Sequence, residues 1–135
     1  MEALNSARQA RKRRVAAAVL AGYWIVLFIG THIPQPELVL PENTSDKLLH
    51  FAAYFGLAFL LAMFRSTKRV LTLRDCIVTW AVVAAFAAFD ELSQMPVGRD
   101  ADVLDWLTDM SGAAAGMVLF GVGSVLIGRF VDRRP

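Results

Sequence analysis

Four long apolar stretches dominate the chain, running approximately from Val15 to Ile33, Leu48 to Phe64, Cys76 to Leu92 and Leu104 to Ile127. A membrane-crossing helix needs about 20 apolar residues, with about 17 to 25 tolerated. Each stretch approaches that length, and none alternates apolar and polar residues with the period of two that a barrel strand requires. The pattern predicts an all-α integral membrane bundle of four transmembrane helices over residues 15–128, with short tails at 1–14 and 129–135. The composition agrees: 56% of residues are hydrophobic and mean hydropathy is +0.49, which leaves little chain for a separate water-soluble domain.

A basic segment followed by an apolar run also describes a signal peptide. Here the run is long and ends in GTHIPQP, without a small-x-small cleavage site, so an uncleaved helix is expected. Cys76 is the single cysteine, so neither an intrachain disulfide nor a cysteine metal site can form.

The net charge of +2 conceals a separation of signs. Arg8, Arg11, Lys12, Arg13 and Arg14 precede the first span; Arg65, Lys68, Arg69 and Arg74 join the second to the third; Arg129, Arg133 and Arg134 follow the fourth. Only Lys47 and Arg99 fall in the other two connections, so twelve of fourteen basic residues lie on one side of a four-span chain. Basic residues near helix ends favour the cytoplasmic face, which predicts that both termini are cytoplasmic and that the tails lie against anionic lipid rather than nucleic acid. The acids distribute oppositely. Glu37, Glu42, Asp46, Asp90, Glu91, Asp100, Asp102, Asp105 and Asp109 belong to the outer connections, leaving Glu2, Asp75 and Asp132 inside.

Some of these acids lie within helix boundaries, where a solvated loop gives no reason for them. In SDKLLHFAAYF, Asp46, His50 and Tyr54 recur at i, i+4, i+8 and form one helical stripe. His50 suits a proton carrier or metal ligand, or an interfacial histidine satisfied by a neighbouring helix. Ser45 or Asp46 can cap the helix, and Tyr54 can be an interface aromatic. In AAFAAFDELSQ, Asp90 and Gln94 share a face beside Glu91; carboxylates in a span are costly and usually face a cavity or a partner. In DVLDWLTDMSGAAAG, Asp102 followed by Asp105 resembles a capping box with Asp in place of Glu. Asp105, Asp109, Gly112 and Gly116 continue as one narrow face, and Gly112–Gly116 forms a GxxxG suited to close helix packing. The start of helix two, the end of helix three and the start of helix four all lie on the outer side, so the three polar groups converge at one depth.

DKLLHFAAYF together with DELSQMPVGRDADVLDWLTDMSGAAAG resembles the VanZ-like membrane family. That family places D-K-x-x-H-x-x-x-Y on one helix, D-E-x-x-Q at the end of the next, G-R-x-x-D-x-x-D in the following loop, and a polar residue before G-x-x-x-G. The likeness spans Asp46 to Gly116, about half of the chain. Asp46, Lys47, His50, Tyr54, Asp90, Glu91, Gln94, Arg99, Asp102, Asp105, Gly112 and Gly116 fall on its positions, whereas Asp109 stands where the family often has Asn. The namesake is associated with reduced susceptibility to teicoplanin, so the resemblance implies a cell-envelope role.

Three functions follow as expectations. The first is a polar site in the outer leaflet that binds an amphiphile, such as a lipid-linked wall intermediate or a lipoglycopeptide. Lys47 and Arg99 are then cations for phosphate or carboxylate, Tyr54 and Gln94 are further ligand contacts, and an apolar groove beside the small-residue helices takes the tail. The second is an intramembrane hydrolase or transferase acting on a polyprenyl-phosphate. His50, Asp90, Glu91 and Asp105 are its acid–base candidates, and His50, Asp90, Glu91, Asp102 and Asp105 its candidates for a divalent metal. The third is a structural or transport partner subunit, for which oligomerisation matters because four short helices make a thin transporter.

Overall fold

The computed structural model describes residues 1–34 and 45–132. Among the expected contributors to the charge pattern, Glu37, Glu42, Arg133 and Arg134 lie outside the described residues. The described chain forms α1 (Glu2–Thr31), α2 (Asp46–Ser66), α3 (Leu73–Gln94), a short 3₁₀ turn (Met95–Val97) and α4 (Val103–Asp132). All four α-helices are long and apolar enough to cross a membrane. At about 1.5 Å per residue, even the 21-residue α2 covers about 30 Å, the thickness of a bilayer's hydrocarbon core.

Helix α1 starts well before the apolar run, because residues 2–14 contain neither proline nor glycine and are rich in Ala, Arg and Lys. Once the apolar part has formed its turns, each further good helix former adds a hydrogen bond at little cost. The basic segment is therefore the first half of one continuous rod. Helix α4 likewise runs past Ile127 to Asp132.

Ends of the helices are set by local chemistry. Ser45 caps α2, its side chain accepting a hydrogen bond from Leu48 N–H. Thr72 caps α3 in a full capping box with Asp75, and the same carboxylate accepts from Arg65 at 2.8 Å and Arg69 at 2.9 Å. Asp75, read from sequence only as an acid on the basic side, thus fastens the α2–α3 connection. Between α3 and α4, Gly98 adopts φ +83°, a left-handed conformation that glycine adopts without a Cβ penalty, and its N–H closes the turn on Met95 O at 3.1 Å.

Helices α2 and α4 pack most extensively, with α3 and α1 set around them. The core comprises Tyr54, Leu57 and Ala58 of α2, Val83 and Ala87 of α3, and Met110 and Ala113 of α4, reached from α1 by Leu20 and Leu27. Trp24 meets Phe86 edge to face at 5.0 Å, and Trp106 Nε1–H donates to Ala84 O at 3.2 Å. Outward-facing residues are also apolar, among them Ile25, Val26, Ile29, Ile77, Val82, Leu119, Val122 and Leu126. Helices that are apolar on both their packed and their open faces suit lipid rather than water as solvent.

Helix direction sorts the charges by end. Gln9 Nε2 donates to Thr67 O at 3.3 Å and Arg13 lies over the Phe64 ring at 5.8 Å, so the basic half of α1 adjoins the basic α2–α3 connection. The opposite end collects the C-terminus of α1, the N-terminus of α2, the C-terminus of α3 and the N-terminus of α4.

The α2–α4 contact is a backbone contact. A Cβ added at Gly112 would collide with the Phe51 carbonyl, and one at Gly116 with that of Phe55. Backbone cannot swing aside as a side chain can. Gly112→Val is accordingly expected to destabilise the bundle by about 1–3 kcal/mol or more through overpacking. Gly121→Ala, where an added Cβ meets nothing within 4 Å, is expected to be neutral. Denaturation of the purified variants in mixed detergent micelles measures both.

Candidate functional site

At the acidic end, side chains from all four helices form two linked groups beneath a charged rim. The deeper group centres on Asp90, which is fully buried. Its Oδ2 accepts from Tyr54 OH at 3.1 Å and Gln94 Nε2 at 3.4 Å, and its Oδ1 accepts from Thr31 Oγ1 at 3.0 Å. His32, at the end of α1, lies with Nδ1 3.8 Å from Asp90 Oδ1 and Nε2 3.0 Å from Ser93 Oγ. One carboxylate thereby joins α1, α2 and α3.

The second group centres on His50 of α2, whose Nδ1 lies 3.0 Å from Asp109 Oδ1 of α4 and 3.7 Å from Glu91 Oε1 of α3. Its Nε2 faces Asp46 Oδ2 at 3.9 Å. His50, Glu91 and Asp109 are all buried. Glu91 uses its other oxygen to accept Asp102 N–H at 3.1 Å, tying the end of α3 to the start of α4. Among the described residues, Glu91 Oε1 and Asp109 Oδ2 are buried without a hydrogen-bond partner.

The rim holds the two cations of this end. Lys47 Nζ donates to Asp105 at 2.6 Å and Asp102 at 3.5 Å. Arg99 Nη2 reaches both oxygens of Asp46 at 3.2 and 3.3 Å, and Nη1 reaches Thr31 O at 3.4 Å. Arg99 joins the last turn of α1, the first of α2 and the α3–α4 turn, with its side chain only 15% exposed, whereas Lys47 is 50% exposed. Asp102 caps α4 by accepting from Leu104 N–H at 2.8 Å. That hydrogen bond chiefly, with help from Lys47 and against a smaller effect of burial, holds its carboxyl below the usual carboxylate range.

The family model for VanZ/LLP1 matches residues 6–124, most of the chain. The chain belongs to the VanZ/LLP1 family. It is a multi-pass membrane protein, in keeping with its four span-length helices. No curated protein and no solved structure matches it.

The VanZ-like motif residues divide by role in this structure. Tyr54, Asp90 and Gln94 meet in one hydrogen-bonded group, and His50 and Glu91 meet in the other. Asp102 and Asp105 do not form the capping box their spacing suggests: Asp105 turns to Lys47, and the Asp102 N–H is taken by Glu91. Asp90 and Asp102 stand apart from the atoms that could share an ion; the geometry groups His50, Glu91 and Asp109, and separately Asp46, His50 and Asp105. Gly112 and Gly116 pack directly against the α2 backbone, in the helix-packing role their spacing suggests. An apolar groove lies toward the basic end, its lining including Ala62, Cys76, Thr79, Met117 and Phe120.

Three participants escape a reading by motif. Asp109 departs from the family pattern, yet it makes the closest contact to His50; its signal is the i+4 spacing from Asp105 on the glycine face. Thr31 and His32 end the first span in GTHIPQP, and the antiparallel order of helices places them level with Asp90.

Tyr54→Phe keeps the ring and removes one donor to a buried carboxylate. It is expected to cost about 1–3 kcal/mol, and combined with Asp90→Asn to cost less than the sum of the two. A double-mutant cycle of detergent-denaturation free energies checks this; strict additivity would show that the hydroxyl and carboxylate are not coupled.

Proposed function

We propose that this VanZ-family protein works at the outer leaflet of the cell membrane, with both termini cytoplasmic, and that its acidic end receives the polar headgroup of an amphiphile. A lipid-linked cell-wall intermediate and a teicoplanin-type lipoglycopeptide both have the required form. The observation that carries the reading is the burial of His50, Glu91 and Asp109 together at one end of the bundle, with carboxylate oxygens of Glu91 and Asp109 left without a hydrogen-bond partner among the described residues. Apolar residues would hold four helices together at lower desolvation cost, so a chemical task is the better reason for these groups.

Rim geometry supports a division between the two cations. Lys47 and Asp102 are both about half exposed, and an ion pair in water contributes about 0–1 kcal/mol, so a phosphate or carboxylate can replace Asp102 at little cost. Arg99 has little exposure and holds three elements. Lys47 is therefore the headgroup contact and Arg99 a structural staple. The apolar outer faces of the helices leave the tail free to remain in the bilayer.

A second reading, an intramembrane hydrolase or transferase acting on a polyprenyl-phosphate, gains support from one feature. His50 sits between Asp109 and Glu91, as a general base oriented by carboxylates does.

The expected outcome for Lys47→Gln is normal abundance in membranes with binding of a lipid-linked precursor or lipoglycopeptide reduced about tenfold, roughly one charge-assisted hydrogen bond. Arg99→Ala should instead lower folded abundance. Unchanged binding by Lys47→Gln in reconstituted vesicles would remove the headgroup reading. Turnover of a polyprenyl-phosphate that is lost in His50→Gln would favour the enzyme. For sidedness, single cysteines at Asp100 and Ser6 in a Cys76→Ser background are expected to react with an impermeant maleimide from outside and inside, respectively.

A further inference from the structure

We propose that His50, Glu91 and Asp109 bind a divalent transition-metal ion of the zinc or manganese type. The three come from α2, α3 and α4 and are 4%, 5% and 0% exposed. Each offers one ligand atom, and these atoms lie within 4.8 Å of one another. Metal–ligand bonds of about 2.0–2.1 Å in tetrahedral geometry place ligand atoms about 3.3 Å apart. The separations from His50 Nδ1, 3.0 Å to Asp109 and 3.7 Å to Glu91, bracket that value.

Two further observations point to a ligand. Glu91 Oε1 and Asp109 Oδ2 are buried carboxylate oxygens with no hydrogen-bond partner among the described residues, an arrangement that burial normally penalises. The charge tally has the same gap. Lys47 pairs with Asp102 and Asp105, and Arg99 with Asp46, whereas among the described residues neither Glu91 nor Asp109 has a Lys or Arg within ion-pair distance and both lie beside His50. A dication held by a neutral imidazole and two carboxylates gives a site of zero net charge, which an apolar bundle tolerates far better than two unpaired negative charges. Imidazole with carboxylates suits zinc or manganese better than calcium or magnesium, whose sites are built from oxygen alone.

Binding through Nδ1 leaves the ring proton on Nε2, which faces Asp46 at 3.9 Å. Asp46 is in turn fixed by Arg99. At that distance Asp46 contributes negative charge beside the ring rather than a hydrogen bond that fixes it. The site needs no lipid in order to form, so its test is independent of the headgroup reading.

The full chain, purified in detergent without an affinity tag and stripped with chelator, is titrated with Zn²⁺ or Mn²⁺ while metal content and thermal melting are followed. One ion per chain and a raised melting temperature are expected. Glu91→Gln and Asp109→Asn, which keep side-chain shape, should each lose stoichiometric binding. Wild-type protein that takes up neither ion, or a Glu91→Gln/Asp109→Asn double variant that binds as tightly as wild type, overturns the proposal. Pulsed EPR of the Mn²⁺-loaded wild-type chain needs no variant: coupling to one imidazole nitrogen is the expected signature, and a spectrum without nitrogen coupling overturns the site.

Discussion

The backbone contact between α2 and α4 governs the rest of the structure. Gly112 rests against the Phe51 carbonyl and Gly116 against that of Phe55, so these helices approach as closely as side-chain-free surfaces allow. Phe51 is next to His50, and Gly112 lies three residues beyond Asp109. The same contact therefore sets the 3.0 Å spacing of His50 and Asp109. A larger residue at 112 would act on the acidic end as well as on stability, because the two helices carry opposite halves of one polar pair.

Polar groups in this bundle follow a gradient of commitment. Asp90 has donors from α1, α2 and α3 and behaves as a structural knot. Arg99 does the same for the rim. Glu91 and Asp109 each give one oxygen to the protein and keep one unused. Lys47 and Asp102 meet at the water-facing surface, where partners exchange easily. Motif residues close together in sequence thus differ in their surroundings: Asp90 and Glu91 are adjacent, yet both oxygens of the first are held within the fold and one oxygen of the second has no hydrogen-bond partner among the described residues.

Much of this was legible without coordinates. Apolar run lengths gave the four spans, and helix alternation brought DKLLH, DELSQ and DVLDW to one end. Pairing within that end was not legible, since Lys47 with Asp105 and Arg99 with Asp46 depend on how each helix is rotated about its axis. In a lipid-facing bundle, apolar residues surround the helix and periodicity says little about rotation. Asp109 departs from the family pattern, which therefore gives no sign of its role, although its position one turn before Gly112 marks it as facing α2. Thr31 and His32 looked like the boundary of a span because nothing in GTHIPQP shows which helix they meet. The full length of α1 is not visible in hydropathy for another reason: hydropathy marks where lipid begins, whereas helix formation continues through any good helix formers beyond it.

That continuous α1 has a mechanical consequence. Gln9 and Arg13 engage the α2–α3 corner at one end of the rod, and Thr31 engages Asp90 at the other. A helix gripped only along its middle could slide by one turn, about 5.4 Å, and find equivalent apolar contacts. Here a slip of one turn would break both latches together with the hydrogen bond from Tyr23 OH to Ala53 O at 2.9 Å, so the observed register is favoured over its neighbours.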